Sequence, residues 1–155
     1  TTQDISLQIQ RWRAWRIRCV EGVVFRWEVS ELRLWSDGCP HQSGEAGLSP
    51  GMSGLRAISS GSYDLEHDEE KAFDNDPNFT KTSWLTDCSG CPAGTAWLGL
   101  DAGSASPFRV ACVELLQGGS ATNMCGHIVL EASDDLATWE ERGKMVGLSE
   151  NQSLC

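Results

Sequence analysis

The chain has no long hydrophobic run and little positive charge. None of its apolar segments approaches the roughly 18 residues that a membrane-spanning helix needs, and no charged-then-apolar leader opens the sequence. Twelve Lys and Arg residues stand against 22 Asp and Glu, a net charge of −10. Phosphate contacts dominate nucleic-acid affinity, so we expect no binding to DNA or RNA. Anionic headgroups repel such a domain, so direct lipid binding at a membrane surface is not expected either.

Helical and catalytic patterns are also missing. No ten-residue amphipathic pattern is present, and there is neither a paired-His metal motif nor a glycine loop of the kind that cradles phosphate. The acidic run from Glu66 to Glu70 is typical of a solvated face. We therefore expect that the protein is not an enzyme.

The length of 155 residues predicts one domain spanning residues 1–155. A domain of this size removes roughly 70% of its unfolded-chain surface from water. Seven Trp against a single Tyr is unusual, and such rings fill the interior of a sandwich or line a contact surface. Because the chain begins with Thr1 rather than Met, we expect a processed or partial product from which a targeting segment has been removed.

Seven cysteines are too many for a typical cytosolic domain of this size. They favour an oxidising compartment, so that the protein is secreted or lies in an organelle lumen. Cys88 and Cys91 form a Cys-x-x-Cys pair that is compatible with a structural disulfide, free thiols, a redox pair or zinc. Pro92 and the flanking glycines indicate a loop rather than the helix N-terminus that redox chemistry needs, and zinc needs a second ligand pair at short spacing. A local structural disulfide is the favoured interpretation.

Alternating apolar residues predict strands in the first part of the chain. Trp15, Ile17 and Cys19 alternate with arginines, as in a strand with one buried face. Phe25, Trp27 and Val29 repeat the period, and a phase shift after Ser30-Glu31 predicts a β-bulge. Residues 36–62 are rich in Gly, Ser and Pro and predict a long irregular loop, which is typically functional or an insertion.

Short strand signals return after this loop, at 96–101, 108–117, 126–133 and more weakly at 139–146. Each is bounded by turn-forming residues. Several short strands without helices predict an all-β sandwich or jelly roll, with a strand-rich core at about 11–146.

Five sequence blocks together resemble a known family. They are Trp15-Arg-Ile-Arg, Trp27-Glu-Val-Ser-Glu-Leu-Arg-Leu-Trp35, Lys71-Ala-Phe-Asp74 with Thr82-Ser-Trp84, Trp97-Leu-Gly-Leu-Asp-Ala-Gly103 and Leu130-Glu-Ala-Ser-Asp-Asp-Leu-Ala-Thr-Trp139. In this order they resemble the discoidin, or F5/8 type C, group of galactose-binding-like domains. The resemblance covers about residues 11–146.

The resemblance implies a jelly-roll β-sandwich of about eight antiparallel strands with binding loops at one end. Members are typically non-catalytic modules that attach to sugars, phospholipid surfaces or proteins. Trp84 and Trp97 occupy positions that the family buries. Where the family has Asp-Gly, this chain has Asn75, which tolerates a left-handed backbone. Where it has Gly before the last Trp, this chain has Leu136, which disfavours positive φ, so we expect another turn type there.

The acidic loop is a candidate metal site. Calcium takes six to eight oxygen ligands, and Asp74, Asp76 and Thr82 match the positions at which related domains carry a structural calcium ion. The alternative is that the two aspartates only cap turns. We expect that the only cofactor is one structural calcium ion.

Ligand contacts are expected in the stretch that contains Tyr63 and His67. The Tyr63 ring suits stacking on a sugar face, and His67 can donate a hydrogen bond. The alternative is ordinary loop surface. At the N-terminus, a basic strip made of Arg11, Arg13, Arg16 and Arg18 is either a solvated strand face or a docking strip for an acidic partner.

Two functions are expected from these features. The first is a lectin-like module that recognises carbohydrate or glycoconjugate through loops at one end of the sandwich. The second is a non-catalytic accessory or structural subunit, packed within a larger protein complex through its Trp-rich and basic N-terminal surface. The expected partner is accordingly a carbohydrate or another protein.

Overall fold

The regular structure in the computed structural model of the chain consists of β-strands and a few short 3-10 turns, which confirms the all-β prediction. It describes residues 10–42, 45–76, 82–118 and 120–147, and the backbone of 151–154. The strands are β1 (Ala14–Cys19), β2 (Glu28–Trp35), β3 (Arg56–Ser59), β4 (Trp84–Leu85), β5 (Trp97–Asp101), β6 (Cys112–Gln117), β7 (His127–Ser133), β8 (Glu140–Val146) and β9 (Asn151–Leu154). Short 3-10 turns span Met52–Gly54, Leu65–His67, Glu69–Phe73 and Ala121–Asn123. No helix among the described residues is long and apolar enough to cross a membrane.

The strands form two antiparallel sheets. One has five strands in the order β3-β5-β1-β7-β8, and the other has four in the order β4-β2-β6-β9. Because β1 lies between β5 and β7, the first strand is inserted between elements from the second half of the chain. The β-sandwich prediction is confirmed at this level, with nine strands in the described part of the chain rather than about eight.

The core lies between the sheets. Along β1 the side chains of Trp15, Ile17 and Cys19 are buried, while the arginines between them point to the outer face. Trp27 and Trp84 are fully buried and meet edge to face, with ring centroids 5.6 Å apart. Rings of this kind bury roughly 150–250 Å² each, so they dominate the packing at the centre of the fold.

Strand β2 departs from simple alternation. The predicted bulge is confirmed, because the register of β2 against β6 shifts between Val29 and Glu31. Six consecutive residues of β2 are buried, from Val29 to Leu34, and the 3-10 turn at Glu69–Phe73 packs against this strand. The prediction that Phe25 belongs to the alternating strand is wrong, since Phe25 lies in the preceding loop and is 51% exposed.

The prediction of an irregular loop over 36–62 is wrong at its end. Residues Arg56–Ser59 form β3, which pairs with β5 at the sheet edge. The sequence signal is weak because only Ala57 and Ile58 in this strand are apolar, and both are half-buried. Residues 36–42 and 45–51 do lack strands and helices.

Three of the described non-glycine residues adopt a left-handed backbone, and they are Ser53, Asn75 and Leu136. Asn75 has φ of 61°, as the sequence predicts. Leu136 has φ of 63°, so the prediction that Leu would force another conformation there is wrong. Hydrogen bonds explain this outcome, because Ser133 Oγ accepts from the Leu136 N–H at 2.9 Å and Asp135 Oδ1 accepts from the next two N–H groups at 2.8 and 2.7 Å. These bonds outweigh the steric cost of the side chain.

Three disulfides join described cysteines: Cys19–Cys125, Cys39–Cys112 and Cys88–Cys91. The first two link segments 106 and 73 residues apart. The third is the local bond that the Cys-x-x-Cys pair suggests. Disulfides persist in oxidising environments, so the structure supports an oxidising compartment.

Three of the four arginines of the basic strip form ion pairs at the outer face of the five-stranded sheet. Arg13 bonds Asp101 at 2.9 Å, and Arg16 and Arg18 bond the buried carboxylate of Glu131, each at 2.7 Å. These contacts favour a neutralised strand face over a free docking strip for an acidic partner.

Trp97 lies on that outer face rather than in the core. It pairs with Arg18 in register, and its two neighbours along the sheet face, Arg16 and Trp139, stack with it. The Arg16 guanidinium lies 5.0 Å from the Trp97 ring centroid and 4.0 Å from that of Trp139. The prediction that Trp97 is a core residue is therefore wrong, whereas the same prediction for Trp84 is confirmed.

Candidate functional site

Four connecting segments meet at one end of the sandwich, which we call the loop end. They are 20–27, 60–69, 86–96 and 120–126. Main-chain hydrogen bonds tie them together: the Phe25 N–H donates to Thr122 O at 2.9 Å, the Gly90 N–H to Phe25 O at 2.6 Å, and the Tyr63 N–H to Leu85 O at 2.9 Å. The loop end is thus a rigid surface assembled from distant parts of the chain.

An aromatic platform lies at the centre of this surface. The Arg26 guanidinium lies 4.3 Å from the centroid of the Tyr63 ring and 5.9 Å from that of Phe25. Its Nη1 atom donates to the main-chain oxygens of Thr86 and Asp87, at 2.8 and 2.6 Å. The cation is therefore held in place while it contacts two rings, an arrangement with a favourable cation–π energy.

Several apolar side chains at and near the platform are exposed to solvent. Tyr63 is 53% exposed, Phe25 51%, Val24 76% and Leu65 89%. Exposed apolar side chains gathered at one place often mark a binding site. Sequence reasoning found Tyr63 but missed Arg26 and Phe25, which contact each other at this surface.

His67 lies beside the platform. Its ring centroid is 6.2 Å from that of Tyr63, and its Nδ1 atom is 2.7 Å from Asp64 Oδ1, which also accepts the His67 N–H. The hydrogen bond from the His67 side chain lowers the pKa of Asp64. Because Nδ1 is engaged, Nε2 is the ring atom that remains to contact a ligand. The structure thus brings Tyr63 and His67, the two predicted ligand residues, onto one surface.

The predicted metal residues lie away from the platform, in the loop that follows the 3-10 turn Glu69–Phe73. Asp74 Oδ1 accepts the Asp76 N–H at 2.9 Å, and Thr82 Oγ1 donates to the Asp76 main-chain oxygen at 2.8 Å. Asp74, Asp76 and Thr82 are therefore close together. The first of these bonds is also the turn-capping contact that the alternative interpretation predicts.

Glu31 joins this cluster, and sequence reasoning missed it. The residue is 1% exposed, and its Oε1 atom has no hydrogen-bond partner. Burial, together with a hydrogen bond to the neighbouring Asp74 carboxyl, raises the pKa of Glu31 to about 8. The sequence signal that could have found Glu31 is an acidic residue among the apolar positions of Val-Ser-Glu-Leu-Arg-Leu in β2. A charged side chain that is buried in such a strand needs a partner.

Whether a cation could bind beside Glu31 depends on the groups that surround this residue. A cavity of about 130 Å³ is lined by Glu31, Arg33 and Asp74 among others. Arg33 Nε is 3.8 Å from Glu31 Oε2. The Glu31 carboxyl is also hydrogen-bonded to the Asp74 side chain and to the Asp76 main chain, whereas its Oε1 atom has no hydrogen-bond partner. Two carboxylates, a main-chain carbonyl and a hydroxyl are hard oxygen donors of the kind calcium prefers. No group of three or more His, Cys, Asp or Glu side chains suited to a metal occurs in the described ranges, so main-chain and hydroxyl oxygens have to complete any such site.

One catalytic pattern was overlooked in the sequence. Residues Gly47-Leu-Ser-Pro-Gly51 match Gly-x-Ser-x-Gly, the pattern that places a hydrolase nucleophile on a turn between a strand and a helix. Here Ser49 follows a stretch without regular structure and precedes the three-residue turn Met52–Gly54. The geometry that exposes such a nucleophile is therefore not formed.

Comparisons with protein-family models, with curated proteins and with solved structures found no match.

Proposed function

We propose that this chain is a non-catalytic binding module that recognises carbohydrate or glycoconjugate through the loop end. The observation that carries the proposal is the half-exposed Tyr63 ring with Arg26 stacked on it and His67 alongside. Aromatic faces stack on the apolar face of a sugar ring, while the free nitrogens of the guanidinium and imidazole suit its hydroxyl groups. The motif order of the sequence supports placing the fold in the discoidin group, as a jelly roll of the galactose-binding type.

A glycan array probed with and without calcium tests this function. We expect Tyr63→Ala to abolish binding to the glycans that the wild type retains, because the stacking surface is lost. Met52→Ala is the matched control, since Met52 is 48% exposed and lies at the opposite end of the sandwich. Failure of every sugar on the array would refute carbohydrate recognition, and loss of binding in Met52→Ala alone would move the site to the other end.

We also propose one structural calcium ion at the acidic loop. Glu31 and Asp74 would supply carboxylate oxygens, and Asp76 and Thr82 further oxygens. When bound, the ion would neutralise two neighbouring carboxylates and hold the loop against β2. The support is the buried Glu31 Oε1 atom without a hydrogen-bond partner, beside a second carboxyl that raises the pKa of Glu31. Two such carboxyl groups ionise together more readily when a cation lies between them.

If calcium binds, the order of stability of the wild type and Glu31→Gln should reverse when calcium is added. The folded-state pKa of about 8 lies above the ordinary value of 4.5, so without metal this group loses its stabilising contribution as the pH rises from 4.5 through 8. In chelator at pH 8 we expect Glu31→Gln to be at least as stable as the wild type. With calcium, the wild type gains stability in proportion to ligand saturation and the variant does not. Thermal unfolding in chelator and in calcium measures these stabilities, and Glu70→Gln serves as the control. An equal response of all three proteins to calcium would contradict the proposal.

An accessory role within a larger assembly is the second candidate. The observation that favours it is the Trp97–Arg16–Trp139 stack on the outer sheet face, since aromatic residues and Arg are enriched at protein interfaces. Size-exclusion chromatography of native material tests it, and a free monomer would count against it. In either role, the three disulfides support placing the protein in a secreted or luminal setting.

A further inference from the structure

The irregular segment between β2 and Leu48 is fastened to the sandwich at several points. Four contacts hold it: the Cys39–Cys112 disulfide, the Asp37–Arg109 ion pair at 2.7 Å, the Leu48 N–H to Leu34 O bond at 2.8 Å and the Trp35 Nε1–H to Ala46 O bond at 3.2 Å. At Gly47 a Cβ atom would lie 2.9 Å from the main-chain N and O of Leu34, so the returning chain requires glycine. A connecting loop needs no such anchoring, and the described parts of this one, 36–42 and 45–48, are held against the sandwich.

The described residues of this segment line an open cavity of about 820 Å³. This volume lies within the range of roughly 300–1,000 Å³ that small-molecule sites occupy. The cavity adjoins Trp35, the last residue of β2, whereas the loop end adjoins Glu28, the first. At about 3.3 Å per residue, the two sites lie at opposite ends of the sandwich.

The lining combines an apolar floor with acidic walls. Trp35, Leu48 and Met52 supply the apolar surface, and Asp37 and Glu45 supply carboxylates. Asp37 is paired with Arg109. Glu45 is exposed and makes no ion pair with any residue that the structure describes, so the cavity carries an uncompensated negative charge. A cavity lined by both an indole and a carboxylate combines the two groups that attract an organic cation.

We propose that this cavity binds a small organic ammonium ion, with the cationic head at Glu45 and the apolar body over Trp35 and Met52. The site is separate from the loop end and does not depend on carbohydrate recognition there. The net charge of −10 on the chain adds a general attraction for cations.

Three matched probes test the proposal by isothermal titration calorimetry on the whole chain at low salt: phenethylammonium, the neutral 2-phenylethanol and the anionic 3-phenylpropanoate. The probes have similar apolar bodies and differ in the charge of the head. An exposed ion pair and a cation–π contact together give the ammonium probe an affinity about fivefold to tenfold above that of the alcohol. The anion should bind most weakly.

Variants locate the site. Glu45→Gln should remove the preference for ammonium over alcohol and leave the affinity for the alcohol unchanged, whereas Trp35→Leu should weaken both. Glu66→Gln, an exposed acidic residue near the loop end, is the control and should change neither. An unchanged thermal midpoint shows that each variant is folded.

Three results would overturn the proposal. They are a failure of phenethylammonium to bind at millimolar concentration, equal affinity for the charged and neutral probes, and a preference for ammonium that survives Glu45→Gln. Loss of ammonium binding in Tyr63→Ala would overturn it as well, because it would place the cation on the loop-end platform. A failure of the glycan array leaves these outcomes untouched, so the two proposals are tested separately.

Discussion

Removal of the Cys19–Cys125 disulfide should destabilise the protein far more than removal of Cys88–Cys91. The first bond joins residues 106 positions apart and the second residues 3 apart. In the chain-entropy account, a cross-link that closes about 100 residues contributes about 4.7 kcal/mol by restricting the unfolded chain, and the same relation gives about 2 kcal/mol for the shortest loops. We therefore expect the free energies of unfolding of the two variants to differ by about 3 kcal/mol.

The comparison uses the double variants Cys19→Ala/Cys125→Ala and Cys88→Ala/Cys91→Ala. Urea unfolding without reductant, followed by far-ultraviolet circular dichroism and Trp fluorescence, measures the free energy of unfolding of each. Cys19, Cys125 and Cys91 are all at most 1% exposed, and Cys88 is half-buried against the core, so the two variants differ in buried sulfur at one residue only. The difference between them then reports mainly on the closed loops.

The third bond, Cys39–Cys112, provides a control with an intermediate separation of 73 residues. Because the entropic term depends on the logarithm of loop length, its removal should cost nearly as much as removal of Cys19–Cys125. Equal losses for the longest and shortest loops would refute the reasoning and would assign the stabilisation to contacts in the folded state.

Two further predictions concern single residues. Leu136→Gly should be more stable than Leu136→Ala by about 1 kcal/mol, because glycine adopts the left-handed backbone without the steric cost that other residues carry. Thermal unfolding of the two variants measures this difference, and a more stable Ala variant would contradict the prediction. Burial opposes ionisation of Glu131, but hydrogen bonds from Arg18 and Arg16 outweigh it and hold the pKa of Glu131 below its ordinary 4.5. The contribution of Glu131 to stability is therefore present above pH 4.5 and lost as the pH falls through the folded-state value. Glu131→Gln should be less stable than the wild type at pH 7 and should lose less stability in acid, which urea unfolding across that pH range measures. An acid profile parallel to that of the wild type would argue against the ion-pair cluster.

The strands were largely predictable, because a strand with one buried face shows an alternation of apolar and polar residues in the sequence. Alternation in β1 and the phase shift at Ser30-Glu31 each reflect neighbours only one or two positions away. The short strand β3 shows little such alternation, since its residues are only partly buried at a sheet edge. Trp97 was misassigned for a related reason: an aromatic ring suits a strand on either face, and only the register against Arg18 shows which face it occupies.

The candidate sites depended more on tertiary structure. Tyr63 and His67 lie within one short stretch and were found in the sequence, but Arg26 reaches Tyr63 only because the loop after β1 folds beside the loop after β3. Likewise Glu31 lies 43 positions before Asp74 in the chain, and no local pattern connects them.

By itself the sequence determined the class of fold, the oxidising setting and the acidic loop, because periodicity, cysteine content and turn-forming residues are properties of short stretches. The tertiary structure alone decided which residues share a surface. Tertiary packing brings the loops to one end, places the Glu31 carboxyl of β2 beside Asp74 of the acidic loop and forms an open cavity at the far end. Such contacts depend on how layers pack, and packing is a property of the whole chain.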